Sequence, residues 1–192
     1  MNKRIILAST SPRRKELLSK TGLEFEVISG DYEEDMTLPM SPKELVKFLS
    51  RGKAESVAKK YKGIIIGADT FIAFDNKVLG KPHTAEKARA TLAMLRGKQH
   101  SVLTGFTIID TESGKSFSDV VEATVTFRNY SDEEIEAYVS TGEPLDRAAA
   151  YAIQGGGAAF VEKIEGDYDG IVGLPVTAVT EALKEFGVNA VK

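Results

Sequence analysis

Through its first half the chain alternates short apolar runs with segments of helical period, and two long strand-like runs then follow one another directly. Arg4-Ile5-Ile6-Leu7-Ala8 reads as a short buried strand. Ser11 is a natural N-cap and Pro12 suits the first helical position, so the spacing predicts a helix that starts there, carries Leu17 and Leu18, and stops at Thr21-Gly22. Glu24 to Ile28 alternates as a strand, with Phe25 and Val27 on one side. Ser41-Pro42-Lys43-Glu44 is a capping box with proline at the first position, opening a helix to about Tyr61. Leu45, Val46, Leu49, Val57, Ala58 and Tyr61 make its apolar face, and Lys53, four residues from both Leu49 and Val57, points with that face.

After Gly63, Ile64-Ile65-Ile66-Gly67-Ala68 reads as a fully buried strand that runs into Asp69-Thr70 and on to Phe71-Ile72-Ala73-Phe74. Asp75-Asn76-Lys77 turns the chain into a short return strand, Val78-Leu79-Gly80. Thr84 caps a helix carrying Ala88, Leu92 and Leu95, which Gly97 ends. The runs Ser101 to Asp110 and Ser116 to Arg128 flank the turn Thr111-Glu112-Ser113-Gly114 and form a hairpin, with Val121, Ala123, Val125 and Phe127 on one face. A second capping box, Ser131-Asp132-Glu133-Glu134, opens a helix that ends by Gly142. Small residues dominate from Asp146 to Gly157. Ala158 to Ile164 then reads as a strand, Gly170 to Gly173 as a loop and Thr177 to Phe186 as the last helix. The pattern sums to a mixed sheet flanked by helices, α/β in class.

At 192 residues the chain suits one domain, or one domain with a small lobe, around a substantial core. A net charge of −3 gives no global basic surface to hold DNA or RNA by counterion release. An anionic ligand must therefore be held by a few local cations, which suits small phosphorylated molecules better than polymers. The absence of cysteine excludes disulfides, thiolate zinc sites and cysteine nucleophiles and is compatible with a reducing cytosol. His83 and His100 are too few for a histidine metal cluster and show no constellation. The apolar run at the start is too short for a secretory h-region, and no stretch approaches the ~18 apolar residues of a membrane span. A cytoplasmic protein with no membrane attachment is the expectation.

Four places stand out chemically. Arg13, Arg14 and Lys15 occupy a first helical turn, against the positive end of the helix dipole, an unfavourable arrangement unless an anion sits in front of it. Strand, serine-rich loop and helix start with free N–H groups make a phosphate site, although a solvated basic turn fits the same residues. Asp69 ends a buried apolar run, where an unpaired charge is costly. It either caps nearby backbone N–H groups or faces a ligand crevice, where a divalent metal shared with Glu33 or Glu34 of the acidic loop Asp31-Tyr32-Glu33-Glu34-Asp35 would suit it. Lys53, on an apolar helix face, and Lys81, in Gly80-Lys81-Pro82, add two cations to Arg13 and Arg14, about what a triphosphate with magnesium needs, while each alone fits a snorkelling or extended-loop lysine. Gln154 precedes three glycines that let backbone approach a planar ligand, and its amide offers both a donor and an acceptor; a plain hinge residue is the alternative.

In order along the chain, Ser9-Thr10-Ser11-Pro12-Arg13-Arg14 with Leu17-Leu18, Asp31-Tyr32-Glu33-Glu34, Lys53-Ala54, Gly67-Ala68-Asp69-Thr70, Gly80-Lys81-Pro82, Tyr138, and Ala150-Tyr151-Ala152-Ile153-Gln154-Gly155 with Gly166 and Val172-Gly173-Leu174-Pro175 resemble the Maf family of nucleoside triphosphate pyrophosphatases. The resemblance covers essentially the whole chain, read as a single domain, 1–192. It implies hydrolysis between the α and β phosphates, an elongated α/β fold shared with the inosine-triphosphate pyrophosphatases, a divalent metal (Mg²⁺, with Mn²⁺ as the alternative) and a homodimer. It makes Asp69 the general base, Ser9, Arg13, Arg14, Lys53 and Lys81 phosphate ligands, and Glu34 a metal ligand beside Asp69. Arg13, Thr70 and Gln154 are the side chains of the dTTP/UTP branch, whereas the branch favouring 7-methyl-GTP typically has Trp, Gln and Glu there. Tyr32 departs from the small aliphatic residue commoner at its place. The competing readings are an inosine- or xanthosine-triphosphate pyrophosphatase on the same fold, and a nucleotide-binding regulator of cell division and septum formation.

Overall fold

The computed structural model describes residues 3–190. Its strands are β1 (Ile5–Leu7), β2 (Glu26–Val27), β3 (Ile64–Phe74), β4 (Lys77–Leu79), β5 (Gln99–Asp110), β6 (Ser116–Phe127) and β7 (Val161–Glu165). The helices are α1 (Pro12–Ser19), α2 (Pro42–Ala58), α3 (Ala85–Leu95), α4 (Asp132–Ser140), α5 (Tyr168–Val172) and α6 (Val176–Lys184). The strands join one sheet in the order β2-β1-β3-β5-β6-β7, with β4 paired to β3. β1 is parallel to β2 and β3, whereas β4 on β3 and β7 on β6 are antiparallel, so the sheet is mixed, as the apolar pattern predicts. Two compact units divide the chain, and β3, β5 and β6 each contribute residues to both.

Among the described residues the first unit comprises 3–70, 103–121 and 169–190. Ser11 caps α1 through Arg14 N–H with Pro12 in the first turn, and Ser41 caps α2 in a reciprocal box with Glu44. Ile6 and Ala8 from β1, Ala54 and Val57 from α2, and Ile65 from β3 close a core. Two glycines set how closely α2 lies on the sheet. A Cβ on Gly67 would come within 2.5 Å of the Ser50 carbonyl oxygen, and one on Gly105 within 2.5 Å of the Val46 carbonyl oxygen. The helix backbone therefore rests directly on β3 and β5, one turn from Lys53 and two residues from Asp69.

The second unit comprises residues 71–102 and 122–168. Its centre is aromatic: Phe127 meets Tyr151 edge-on at 4.8 Å and His100 at 4.8 Å, and Tyr130 lies 4.4 Å from Phe160. The Tyr130 hydroxyl donates to the Leu92 carbonyl at 2.6 Å, fixing this cluster to α3. Three short 3-10 turns, Glu143–Asp146, Ala148–Ala150 and Gly156–Phe160, carry the small-residue stretch.

Three segments differ from the sequence reading. Only Glu26 and Val27 pair within the expected strand Glu24 to Ile28, both exposed, because β2 is an edge strand with one neighbour. Residues Ala158 to Phe160 belong to a 3-10 turn, closed by Ala158 N–H on the Gly155 carbonyl at 3.1 Å, so the expected strand starts at Val161. The expected loop Gly170 to Gly173 is largely α5, ended where Gly173 takes φ +137°, a value side-chain-bearing residues rarely adopt.

Candidate active site

Residues from five segments of the first unit converge around one carboxylate. Asp69 lies on β3 beyond Ala68, buried, and the close seat of α2 brings the Lys53 ammonium to 2.6 Å from its Oδ1. The same ammonium lies 2.7 Å from Oε1 of Glu34, so Lys53 bridges the acidic loop and the strand. Arg14 Nη2 stands 3.7 Å from Asp69 Oδ1. The other oxygen, Oδ2, is buried without a hydrogen-bond partner. Burial raises the Asp69 carboxyl above the usual aspartate range, although Lys53 and Arg14 pull the other way. The group is thus a carboxylate with one oxygen committed and one available.

Arg14 is set from the far end of the chain. Its Nε–H donates to the Gly173 carbonyl at 2.9 Å, and the left-handed Gly173 backbone orients that carbonyl. Nη1 and Nη2 reach Ser9 Oγ and Thr70 Oγ1 at 3.5 Å each. Burial lowers the guanidinium's pKa, opposed by Asp69 and Glu34. Ser9 Oγ also accepts from Ser11 N–H at 3.1 Å, which shapes the loop before α1. Arg13, one position earlier, is exposed.

Thr104 is a participant that the sequence reading missed. Its hydroxyl donates to the Gly170 carbonyl at 2.7 Å and lies 2.9 Å from Thr70 Oγ1. With the Thr104 proton committed, the Thr70 hydroxyl must donate to Thr104, and Thr70 Oγ1 accepts from Arg14. A threonine inside an apolar strand, Val102-Leu103-Thr104-Gly105-Phe106, carries no sequence signal for such a role.

In front of these groups is a cavity of about 300 Å³ lined by the loop Ala8 to Ser11, Arg14, Tyr32, Glu34 and Lys53, among others. Tyr32 lies on α2 where Gly52 leaves room; a Cβ there would stand 2.2 Å from the ring carbon Cζ. Ser9, Arg14, Glu34, Lys53, Asp69 and Thr70 therefore share this neighbourhood. Lys81 and Gln154 are exposed residues of the second unit. Lys81 sits in a stretch tied down by Ala149 N–H on the Gly80 carbonyl at 3.1 Å and His83 N–H on the Leu145 carbonyl at 3.0 Å. The three glycines after Gln154 serve the protein's own packing, since Cβ atoms on Gly155, Gly156 and Gly157 would meet Glu143, Tyr138 and Tyr151 at 2.0, 2.8 and 2.8 Å.

Residues 4–186 match the Maf-like protein family. The chain belongs to the Maf family. A relative named dTTP/UTP pyrophosphatase from Geotalea uraniireducens is 48% identical over 95% of each chain. Another of that name, from a Thermoanaerobacter species, is 50% identical over 97% of this Maf chain and 98% of its own. Among solved structures, a HAM1 protein from Coxiella burnetii matches with a TM-score of 0.48 and 15% identity, over 95% of this chain and 98% of that one. No helix among the described residues of this Maf protein is long and apolar enough to cross a membrane.

Proposed function

We infer that this protein is a dTTP/UTP pyrophosphatase, releasing pyrophosphate and leaving the nucleoside monophosphate. Relatives of that name align with nearly the whole chain, and the family match over residues 4–186 supports treating it as one functional domain. The chemistry rests on one observation: a buried carboxylate with an unpartnered oxygen, Asp69 Oδ2, beside the Lys53 and Arg14 cations, which themselves line a cavity of about 300 Å³.

In this reading Asp69 Oδ2 takes a proton from a water whose oxygen attacks the α-phosphorus. The bond from that phosphorus to the α–β bridging oxygen breaks, and pyrophosphate departs with the electron pair. Positioning and charge neutralisation are most of what such a transfer needs. Ser9, Arg13, Arg14 and Lys53 hold phosphate oxygens, and the resemblance assigns Lys81 the same task. Gln154 is the base-reading residue and Thr70 orders Arg14.

The residues present fit a divalent ion. Asp69 Oδ2 is an unpaired buried oxygen, and Glu34 supplies a second carboxylate across Lys53. No group of three or more His, Cys, Asp or Glu ligands occurs among the described residues. That suits Mg²⁺, which binds through one or two carboxylates and completes its shell with phosphate oxygens and water; Mn²⁺ has the same preference for oxygen. Such an ion, when bound, supplies positive charge to phosphate oxygens and lowers the pKa of water. Cytoplasmic placement and a homodimer complete the reading; exposed Met36, Met40 and Phe48 are apolar groups that a second copy would cover.

Pyrophosphate release measured with Mg²⁺ across dTTP, UTP, CTP, GTP, ITP, XTP and 7-methyl-GTP tests it. Highest kcat/KM on dTTP and UTP is the expected result; preference for ITP or XTP overturns the base assignment, and no turnover of any triphosphate overturns the enzyme.

A further inference from the structure

Glu143 touches the Gln154 turn from beneath. It follows Gly142, the left-handed end of α4, and its own N–H is held by Thr141 Oγ1 at 3.2 Å, so its backbone is fixed by the helix terminus. Its Oε2 accepts the Gly156 N–H at 3.1 Å, and its Oε1 accepts the Tyr138 hydroxyl proton at 3.3 Å. The Tyr138 oxygen in turn accepts the Ala152 N–H at 3.3 Å. Backbone groups two residues before and two residues after Gln154 are therefore tied to one carboxylate and its phenol. Burial pushes the Tyr138 hydroxyl up to about 12, so it stays protonated, and a donor to Glu143, further into the alkaline range than a free phenol would.

The glycines complete the device. Gly155 leaves the volume that the Glu143 carboxylate fills, and Gly156 the volume against which the Tyr138 ring lies. Gly155 N–H closes the turn on the Ala152 carbonyl at 3.1 Å. The stretch leading into the turn is itself held in an unusual form: Ala149 and Ala150, both buried, take φ of +53° and +62°. Alanine adopts that conformation only where surrounding contacts over-determine it. Gln154 thus sits exposed on a backbone with little freedom to drift.

We propose that Glu143, acting with Tyr138, is a positioning residue for base selection: it fixes the Gln154 turn so that the amide meets the pyrimidine edge in one orientation. The proposal rests on the reading of Gln154 as the base-contacting residue. Neither Glu143 nor Tyr138 needs to touch substrate. Their effect lies in discrimination between bases and not in the chemical step.

The test measures kcat and KM for dTTP, UTP and GTP on the parent and on Glu143→Ala, Glu143→Gln, Tyr138→Phe and Gln154→Ala. Glu143→Ala is expected to lower the dTTP-over-GTP ratio of kcat/KM about tenfold, the size of one or two lost hydrogen bonds, mainly through KM for dTTP. Glu143→Gln, whose Oε1 still accepts from Gly156 N–H but whose Nε2 leaves the Tyr138 hydroxyl proton without its acceptor, should restore the ratio in part, a rescue that a general loss of stability does not give. Tyr138→Phe keeps the ring and should lower the ratio less than Glu143→Ala; it carries the test if Glu143→Ala does not fold. A ratio lost in Gln154→Ala but kept in Glu143→Ala or, should that variant not fold, in Tyr138→Phe overturns the role of Glu143 alone. A ratio kept in Gln154→Ala overturns the base reading, and the positioning role with it. An equal fall for all three nucleotides in Glu143→Ala, or in Tyr138→Phe in its place, returns the residue to a purely structural part.

Discussion

Lys53 Nζ holds Asp69 Oδ1 at 2.6 Å and leaves Asp69 Oδ2 buried and unpartnered. The carboxylate is anchored by one oxygen and free at the other, as a group must be if it is to take a proton without changing position. Asp69→Asn keeps the shape and an acceptor for Lys53 but removes the basic oxygen. It should fold, since Lys53 keeps Glu34 as its counter-charge at 2.7 Å, and lose on the order of 10²–10⁴-fold in kcat on dTTP. Circular dichroism with steady-state kinetics checks this; activity within about tenfold of the parent removes Asp69 from the general-base role.

Lys53→Met probes the same contact from the other side. Arg14 at 3.7 Å becomes the nearest cation to a buried carboxylate, and breaking a buried pair from one side costs about 3 kcal/mol or more. The variant should melt earlier and turn over dTTP poorly. The double variant Lys53→Met/Asp69→Asn removes the stranded charge and should regain part of the lost stability. Denaturant unfolding of the four proteins of this cycle gives the coupling directly; purely additive losses would show that the two groups do not interact.

Gln154→Glu replaces an amide that donates and accepts by a group that only accepts. Donation to O4 of uracil or thymine is lost, and a polar edge left unpaired costs about 1–3 kcal/mol. kcat/KM for dTTP and UTP should fall roughly ten- to a hundredfold, the fold-change of such a cost, while GTP and 7-methyl-GTP, whose N1–H and N2–H₂ donate, fall less or rise. Since Arg13 and Thr70 are unchanged, the switch should be partial. An equal fall on all four substrates would mean that Gln154 supports the loop without reading the base.

His100 gives the fold an acid limit. Buried among Phe127 and Tyr151, its pKa is lowered to about 4 by desolvation, while an unfolded histidine takes its proton near 6.5. Between those values the unfolded chain binds a proton that the folded one refuses, so stability is full above about pH 6.5 and falls as pH drops toward 4, by up to about 3 kcal/mol. His100→Gln, which does not titrate and can still reach the Tyr151 hydroxyl, should flatten this part of the pH dependence. Melting temperatures of parent and variant at pH 7.5 and 5.0 decide it; parallel curves would place the acid sensitivity elsewhere.

The sequence carried the local signals well and the long-range ones poorly. Ser11, Ser41, Thr84 and Ser131 mark helix starts because a cap is a contact over three residues, and all four cap in the structure. Asp69 and Lys53 could be singled out because a charge at the end of an apolar run or on an apolar face contradicts its surroundings. The Thr104–Thr70–Arg14–Gly173 chain could not, since its members lie as far as 159 residues apart and a threonine in a strand is unremarked. The three glycines after Gln154 were legible as a close approach, but the groups that approach, Glu143, Tyr138 and Tyr151, are set by the fold and not by the neighbouring sequence. The edge strand Glu24 to Ile28 shortens for a similar reason: its alternation is local, whereas its lack of a second neighbour is a property of the sheet.

Tyr32 and Gly52 share a single volume, the ring occupying the place where any side chain on that turn of α2 would stand. A glycine inside a helix ordinarily costs about 1 kcal/mol against alanine, so Gly52→Ala looks like an improvement until the tyrosine is counted. What position 52 can hold therefore depends on what position 32 holds. With a small residue at position 32 alanine would fit at position 52 as well as glycine; with tyrosine there, a side chain at 52 meets the ring first. Gly52→Ala asks the phenol, the far end of a flexible side chain, to swing away, so its cost is read in the loop and not in the helix.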